Sequence, residues 1–131
     1  MEKFETKRLP EQWDVIAPDS AEVRILLGLK DGGMAHFELP PSETSIPQRH
    51  KTVEEIWYFL TGRGEMWRKL GDQEEVVEVD PGICLTIPVG AAFQFRSFGE
   101  KSLTAIGVTM PPWPGMEEAI TVEGKWERNG S

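Results

Sequence analysis

Glycine and proline break this chain at short, regular intervals, which leaves no room for long helices. Thirteen Gly and ten Pro are spread along 131 residues, and the stretches between them are rich in Val, Ile, Phe, Trp and Thr without a sustained helical period. Such a pattern predicts an all-β protein built from short strands and tight turns. We read strands over 22–29, 33–39, 55–60, 64–70, 74–79, 83–87, 93–97 and 103–110. Asp31-Gly32-Gly33, Thr61-Gly62-Arg63-Gly64, Leu70-Gly71-Asp72 and Asp80-Pro81-Gly82 supply turns, with Gly at positions that favour a left-handed backbone. Many short strands at this spacing predict a sandwich or jelly roll. One helical turn is expected over 117–120 and a frayed tail over 129–131.

Charge excludes two classes of partner. Fourteen basic residues against twenty-two acidic ones give a net charge of −8, and no Lys/Arg cluster reverses this locally, so neither nucleic acid nor an anionic membrane surface is an expected partner. The lone Cys84 has no partner for an internal disulfide, the opening residues lack an apolar signal core, and no apolar run approaches a bilayer span. A soluble, cytoplasmic protein is expected, with one domain over 1–131.

Two segments carry a family resemblance. Residues 40–64 hold Ser42, Gln48, His50, Glu55 and Gly62, and residues 81–97 hold Gly82, Pro88, Gly90, Phe93 and Ser97. The spacing resembles the two motifs of the cupin family, small jelly-roll β-barrels also described as double-stranded β-helices. The first motif, about 42–62, has Gly, His-x-His, Glu and Gly in these positions; the second, about 82–97, has Gly, Pro-x-Gly, His and Asn. The resemblance implies a metal site in which Gln48 replaces the first His, His50 is the second, Glu55 is the Glu, and Phe93 replaces the third His. Half of the ligand types survive. An amide oxygen is a weaker ligand than imidazole and a phenyl ring is none, so the implied site would hold zinc, manganese or iron only weakly, through His50, Glu55 and Gln48.

Alternation extends the reading to the interior. If Glu55 points inward, Trp57 and Phe59 follow, and Phe93, Phe95 and Ser97 do the same on the second motif strand, with Gln94 and Arg96 outward. The expected cavity is aromatic around a polar patch of Gln48, His50, Glu55 and Ser97, suited to a compact organic ligand. The four aromatics have core packing as their alternative role. Cys84, in an apolar strand, reads as a small buried hydrophobe, and His36 as a surface residue. Arg63, Arg68 and Lys69 either meet an anionic substrate at the barrel mouth or are simply solvated. Trp113, on a proline-stiffened segment, either stacks on a ring or plugs an opening, or else caps the barrel or a subunit contact.

Three functions remain open on this reading. The first is a small-molecule-binding cupin with a partly degraded metal site and a sugar-like or carboxylate ligand. The second, implied by the family, is an enzyme (isomerase, lyase or dioxygenase) using His50 and Glu55 as proton carriers or through a weakly held metal. The third is an assembly module without a ligand, which requires an interior packed solid. A homodimer is expected, because Ile56, Tyr58 and Leu60 make the outward face of strand 55–60 as apolar as its inward face, unless the second sheet or the N-terminal segment with Phe4, Leu9 and Trp13 covers it within the chain.

Overall fold

The computed structural model describes residues 3–128; the tail expected to fray over 129–131 lies outside them. The described residues form eleven strands: β1 (Val15–Ile16), β2 (Glu22–Leu29), β3 (Gly32–Leu39), β4 (Gln48–His50), β5 (Glu54–Thr61), β6 (Arg63–Leu70), β7 (Gln73–Val79), β8 (Cys84–Ile87), β9 (Ala92–Phe98), β10 (Leu103–Met110) and β11 (Ala119–Thr121). All pairings are antiparallel, in a six-stranded sheet ordered β1-β2-β3-β10-β5-β8 and a five-stranded sheet ordered β11-β4-β9-β6-β7. The eight expected strands all form, within a residue or so of their expected ends.

Three short strands were not anticipated. β1, β4 and β11 run for two or three residues, too short to show a period in sequence, and each is held by pairing to a longer neighbour or to another short strand. The helical turn expected over 117–120 is corrected: a single 3₁₀ turn covers Met116–Glu118, and the chain then extends into β11, where Ala119 lies opposite His50 and Thr121 opposite Gln48. The physical reason is tertiary. Glu118 turns its carboxylate onto the turn after β4 while Lys51 N–H donates to Glu118 O, so pairing replaces further helical bonds.

The core lies between the sheets and centres on Trp57. Its ring stacks on Phe37 at 4.7 Å and meets Phe59, Phe93 and Phe95 at 5.2–6.1 Å in tilted or edge-on contacts. Leu39, Met66, Val79, Ile87 and Leu103 fill the remainder. Gly107 on β10 makes the Phe37–Trp57 stack possible, since a Cβ there would lie 2.3 Å from Phe37 Cε2 and 3.1 Å from Trp57 Cδ1.

Three expectations about individual residues are corrected. Cys84 is exposed, because β8 is an edge strand that turns Leu85 and Ile87 inward and leaves Cys84 with Thr86 on the outer face. His36 is buried rather than superficial: it lies on β3 between Arg24 of β2 and Ile106 of β10, and Arg24 ties the N-terminal segment to this face by donating to Pro10 O and Glu11 O. Burial and the Arg24 charge hold its imidazole below the usual range. Gln94 faces away from the barrel interior as expected, yet is fully buried under the C-terminal segment. Its amide donates to Ser45 O and Trp126 O and accepts from Lys125 N and Trp126 N, while Arg96 lies 4.2 Å over the Trp126 ring.

Candidate functional site

A cavity of about 330 Å³ opens at one end of the barrel. Phe37, Trp57, Trp113, Leu26, Leu27 and Met34 are among its apolar walls, and its ionisable or amide side chains are Asp19, Gln48, His50 and Glu55. Among the described residues no Lys or Arg lines it.

Strand geometry delivers three of the four polar groups. On β4, Gln48 and His50 are two apart and share the inward face; on β5, Glu55 leads the inward series continued by Trp57 and Phe59. The turn that joins them is fixed by Glu118, whose buried carboxylate accepts from Thr52 N, Thr52 Oγ1 and Val53 N at 2.7–2.9 Å. Burial alone would raise the Glu118 pKa, but these three donors and the neighbouring His50 reverse that and hold it below the usual carboxylate range.

The Glu55 carboxylate is engaged at both oxygens. Trp57 Nε1–H donates to Oε1 at 3.0 Å, and His50 Nδ1 stands 3.0 Å from Oε2. The His50 contact is in ion-pair range but out of line for a hydrogen bond, so the two are a contact pair and Nδ1 has no hydrogen-bond partner. The imidazole is gripped edge-on by Phe93 at 5.2 Å and Trp113 at 5.0 Å. Trp113 lines the cavity and is part exposed.

Asp19 was missed in sequence. It sits in the turn between β1 and β2, outside both motifs, and only the fold brings it to the other three. Its Oδ1 accepts from Ala21 N at 3.0 Å. Burial raises its pKa to about 6, against the pull of the Ala21 N–H; the Glu55 charge raises it further and His50 lowers it.

The remaining sequence candidates divide. Gln48, His50, Glu55 and Trp57 line the cavity, whereas Phe59, Phe93 and Phe95 are buried behind the wall, packed on Trp57 and, for Phe93, on His50. Ser97 is not part of the polar patch: its hydroxyl donates to Pro40 O at 2.5 Å and accepts from Glu43 N at 3.0 Å, fastening the loop before β4. Arg63, Arg68 and Lys69 do not reach the cavity; Arg68 donates to Thr86 O and pairs with Glu75, and Arg63 lies over Phe98.

These residues do not fit a divalent transition metal. Among the described residues no three His, Cys, Asp or Glu stand close enough to share an ion. Both Glu55 oxygens face other groups, and Phe93 presents a ring to His50 from the position of the family's third His.

The family profile described as a cupin domain matches residues 35–109, and the chain belongs to the cupin family. A protein of Methanocaldococcus jannaschii described as uncharacterised is 28% identical in an alignment of 117 residues that covers 82% of this chain and 90% of that one. Among solved structures, KdgF from Halomonas sp. superposes with a TM-score of 0.69 at 15% identity, covering 84% of this chain and 97% of its own. A predicted oxalate decarboxylase from Thermotoga maritima gives 0.58 at 22% identity, covering 70% and 80%. The Bacillus subtilis oxalate decarboxylase, described with Mn(II) centres, gives 0.72 at 16% identity, covering 88% of this chain and 31% of that one. Likeness at these identities shows the jelly-roll fold alone.

Proposed function

We propose that this cupin binds a small organic molecule in the cavity, without the family's metal. The observation that carries the reading is an open space of about 330 Å³ where Asp19, Gln48, His50 and Glu55 converge within apolar walls. That combination of apolar lining and few convergent polar groups is the usual form of a ligand site. A cavity near 150 Å³ already holds a benzene ring, so there is room here for a ring with a short side chain. The open volume also argues against the ligand-free assembly module, which required a solid interior.

The lining favours a ligand class other than the sugar-like or carboxylate one expected from the sequence. A sugar needs a partner for each hydroxyl, which these walls do not supply, and a carboxylate would meet two acids with no Lys or Arg to balance them. A mainly apolar ligand with one polar end fits better. Native mass spectrometry of protein purified without chelator or a nickel column tests the reading: a retained small organic mass supports it. A reproducible increment of one transition-metal ion, removed by chelator, would overturn its metal-free part.

Restoring the donors should reverse the loss of the metal. Calorimetric titration of the wild type with zinc, manganese and ferrous iron should show weak or no binding, whereas Gln48→His combined with Phe93→His should raise affinity steeply. The Phe93 change removes a buried ring and should cost about 1–3 kcal/mol in stability. A folded double variant with unchanged affinity would show that the motif positions do not converge on one ion.

The reading extends to a homodimer. Ile56, Tyr58 and Leu60 are 43%, 50% and 38% exposed on β5, and Phe4, Leu9 and Trp13 are themselves exposed and leave that face open. Light scattering at micromolar concentration should report about twice 14.8 kDa. A 14.8 kDa species would remove the dimer.

A further inference from the structure

The orientation of one amide says which end of a hydrogen bond the ligand must supply. Gln48 Nε2 donates to Pro18 O at 3.2 Å and to Thr121 Oγ1 at 3.1 Å. Because a peptide carbonyl only accepts, the NH₂ group must be on that side, and the amide has no freedom to flip. Gln48 Oε1 is consequently the atom left over. It is buried without a partner in a side chain only 2% exposed, and its residue lines the cavity. A buried acceptor in this state costs free energy until a donor reaches it.

The other groups at this end of the cavity ask for the same thing. Asp19 and Glu55 both contribute carboxylates to the lining, Glu118 lies close enough to His50 to feel its charge, and among the described residues the one potentially cationic side chain facing them is His50. With no Lys or Arg in the wall, the field inside favours a positive charge. The walls suit the rest of such a molecule, since Phe37, Trp57 and Trp113 offer rings to a hydrocarbon body and to a cation alike.

We infer that the cavity takes a compact, mainly hydrocarbon amine, bound as its ammonium ion to Gln48 Oε1 and the Asp19 carboxylate, with its hydrocarbon part among Phe37, Trp57 and Trp113. This rests on the reading that the cavity is a small-molecule site and adds the chemical class. An alcohol offers a single donor and no charge. A carboxylate offers neither donor nor attraction.

The test compares head groups on one skeleton. Full-length protein is titrated by calorimetry at pH 8 with 2-phenylethylamine, 2-phenylethanol and 3-phenylpropanoate, and with n-butylamine, n-butanol and pentanoate as a narrower series. The amine should bind at least about tenfold more tightly than the alcohol, as expected for a charge-assisted hydrogen bond of about 1.5–3 kcal/mol, and the carboxylate more weakly than either. Asp19→Asn keeps the side-chain shape and an acceptor for Ala21 N, and should remove most of the amine's advantage while leaving alcohol binding within about threefold. Alcohol or carboxylate binding as tight as amine binding would overturn the amine assignment and leave the small-molecule site standing. An amine preference that survives intact in Asp19→Asn would likewise overturn it. If no member of either series binds at millimolar concentration, both the assignment and the small-molecule reading fall.

Discussion

Replacing Asp19 by Asn should stabilise the protein by about 3 kcal/mol at pH 8 and change it little at pH 3. The carboxyl titrates near 3.8 in the unfolded chain and at about 6 in the folded one, chiefly through burial, with Glu55 adding to the rise and Ala21 N and His50 opposing it. Its folded pKa is raised, so the folded state holds the proton more firmly. That contribution to stability is complete below the unfolded pKa and is lost as pH climbs through the folded one. Two pKa units correspond to roughly 3 kcal/mol, or a midpoint shift on the order of 10 °C in a chain of this length. Asn carries no ionisation and should escape the loss. Urea denaturation of both proteins at pH 3 and pH 8 checks this, and an equal increment at both values would show that Asp19 ionises as freely folded as unfolded. A residue that weakens the fold at neutral pH and lines a cavity fits the usual cost of a binding site.

Trp57→Ala should cost about 3–5 kcal/mol, the range for deleting a large buried aromatic. The side chain is 1% exposed, touches four aromatic rings, and forms both core and cavity wall. Trp57→Phe separates its two roles, because a phenyl ring keeps much of the packing on Phe37 but leaves Glu55 Oε1 without the indole donor. That loss alone should cost about 1–3 kcal/mol, the price of stranding a buried acceptor. Equilibrium unfolding in urea measures both. A Trp57→Phe variant as stable as the wild type would show that Glu55 finds another donor, and the described arrangement of the carboxylate would be wrong.

The barrel was legible because its cues are local. Gly and Pro marked the turns, alternation placed Glu55, Trp57, Phe59, Phe93 and Phe95 inside, and the motif spacing selected Glu55 over Glu54 for the interior, where it is 4% exposed. What escaped depends on distant parts of the chain. Asp19 lies before the first motif, in a turn whose sequence carries no sign of what it will face. Gln94 alternates outward, and its burial depends on residues 124–126 returning across the sheet. Ser97 occupies a motif position and points inward, but the loop around Pro40 and Glu43 takes its hydroxyl. Spacing indicates the direction of a side chain and not what else arrives there.

The two halves of the pocket come from different stretches of sequence. The floor, with Gln48, His50, Glu55 and Trp57, belongs to the region matched by the family profile, 35–109. Further lining comes from the segments on either side: Val15, Asp19 and Val23 before it, Trp113 and Met116 after it, with Pro18 and Thr121 orienting the Gln48 amide. Substitutions in these flanks can reshape what is admitted while the barrel's central strands stay as they are. On the proposed reading recognition and architecture are in this way separable for mutation, so a library confined to the flanking positions outside the core, Val15, Asp19, Trp113 and Met116, should yield folded proteins with altered ligand preference far more often than one aimed at the floor.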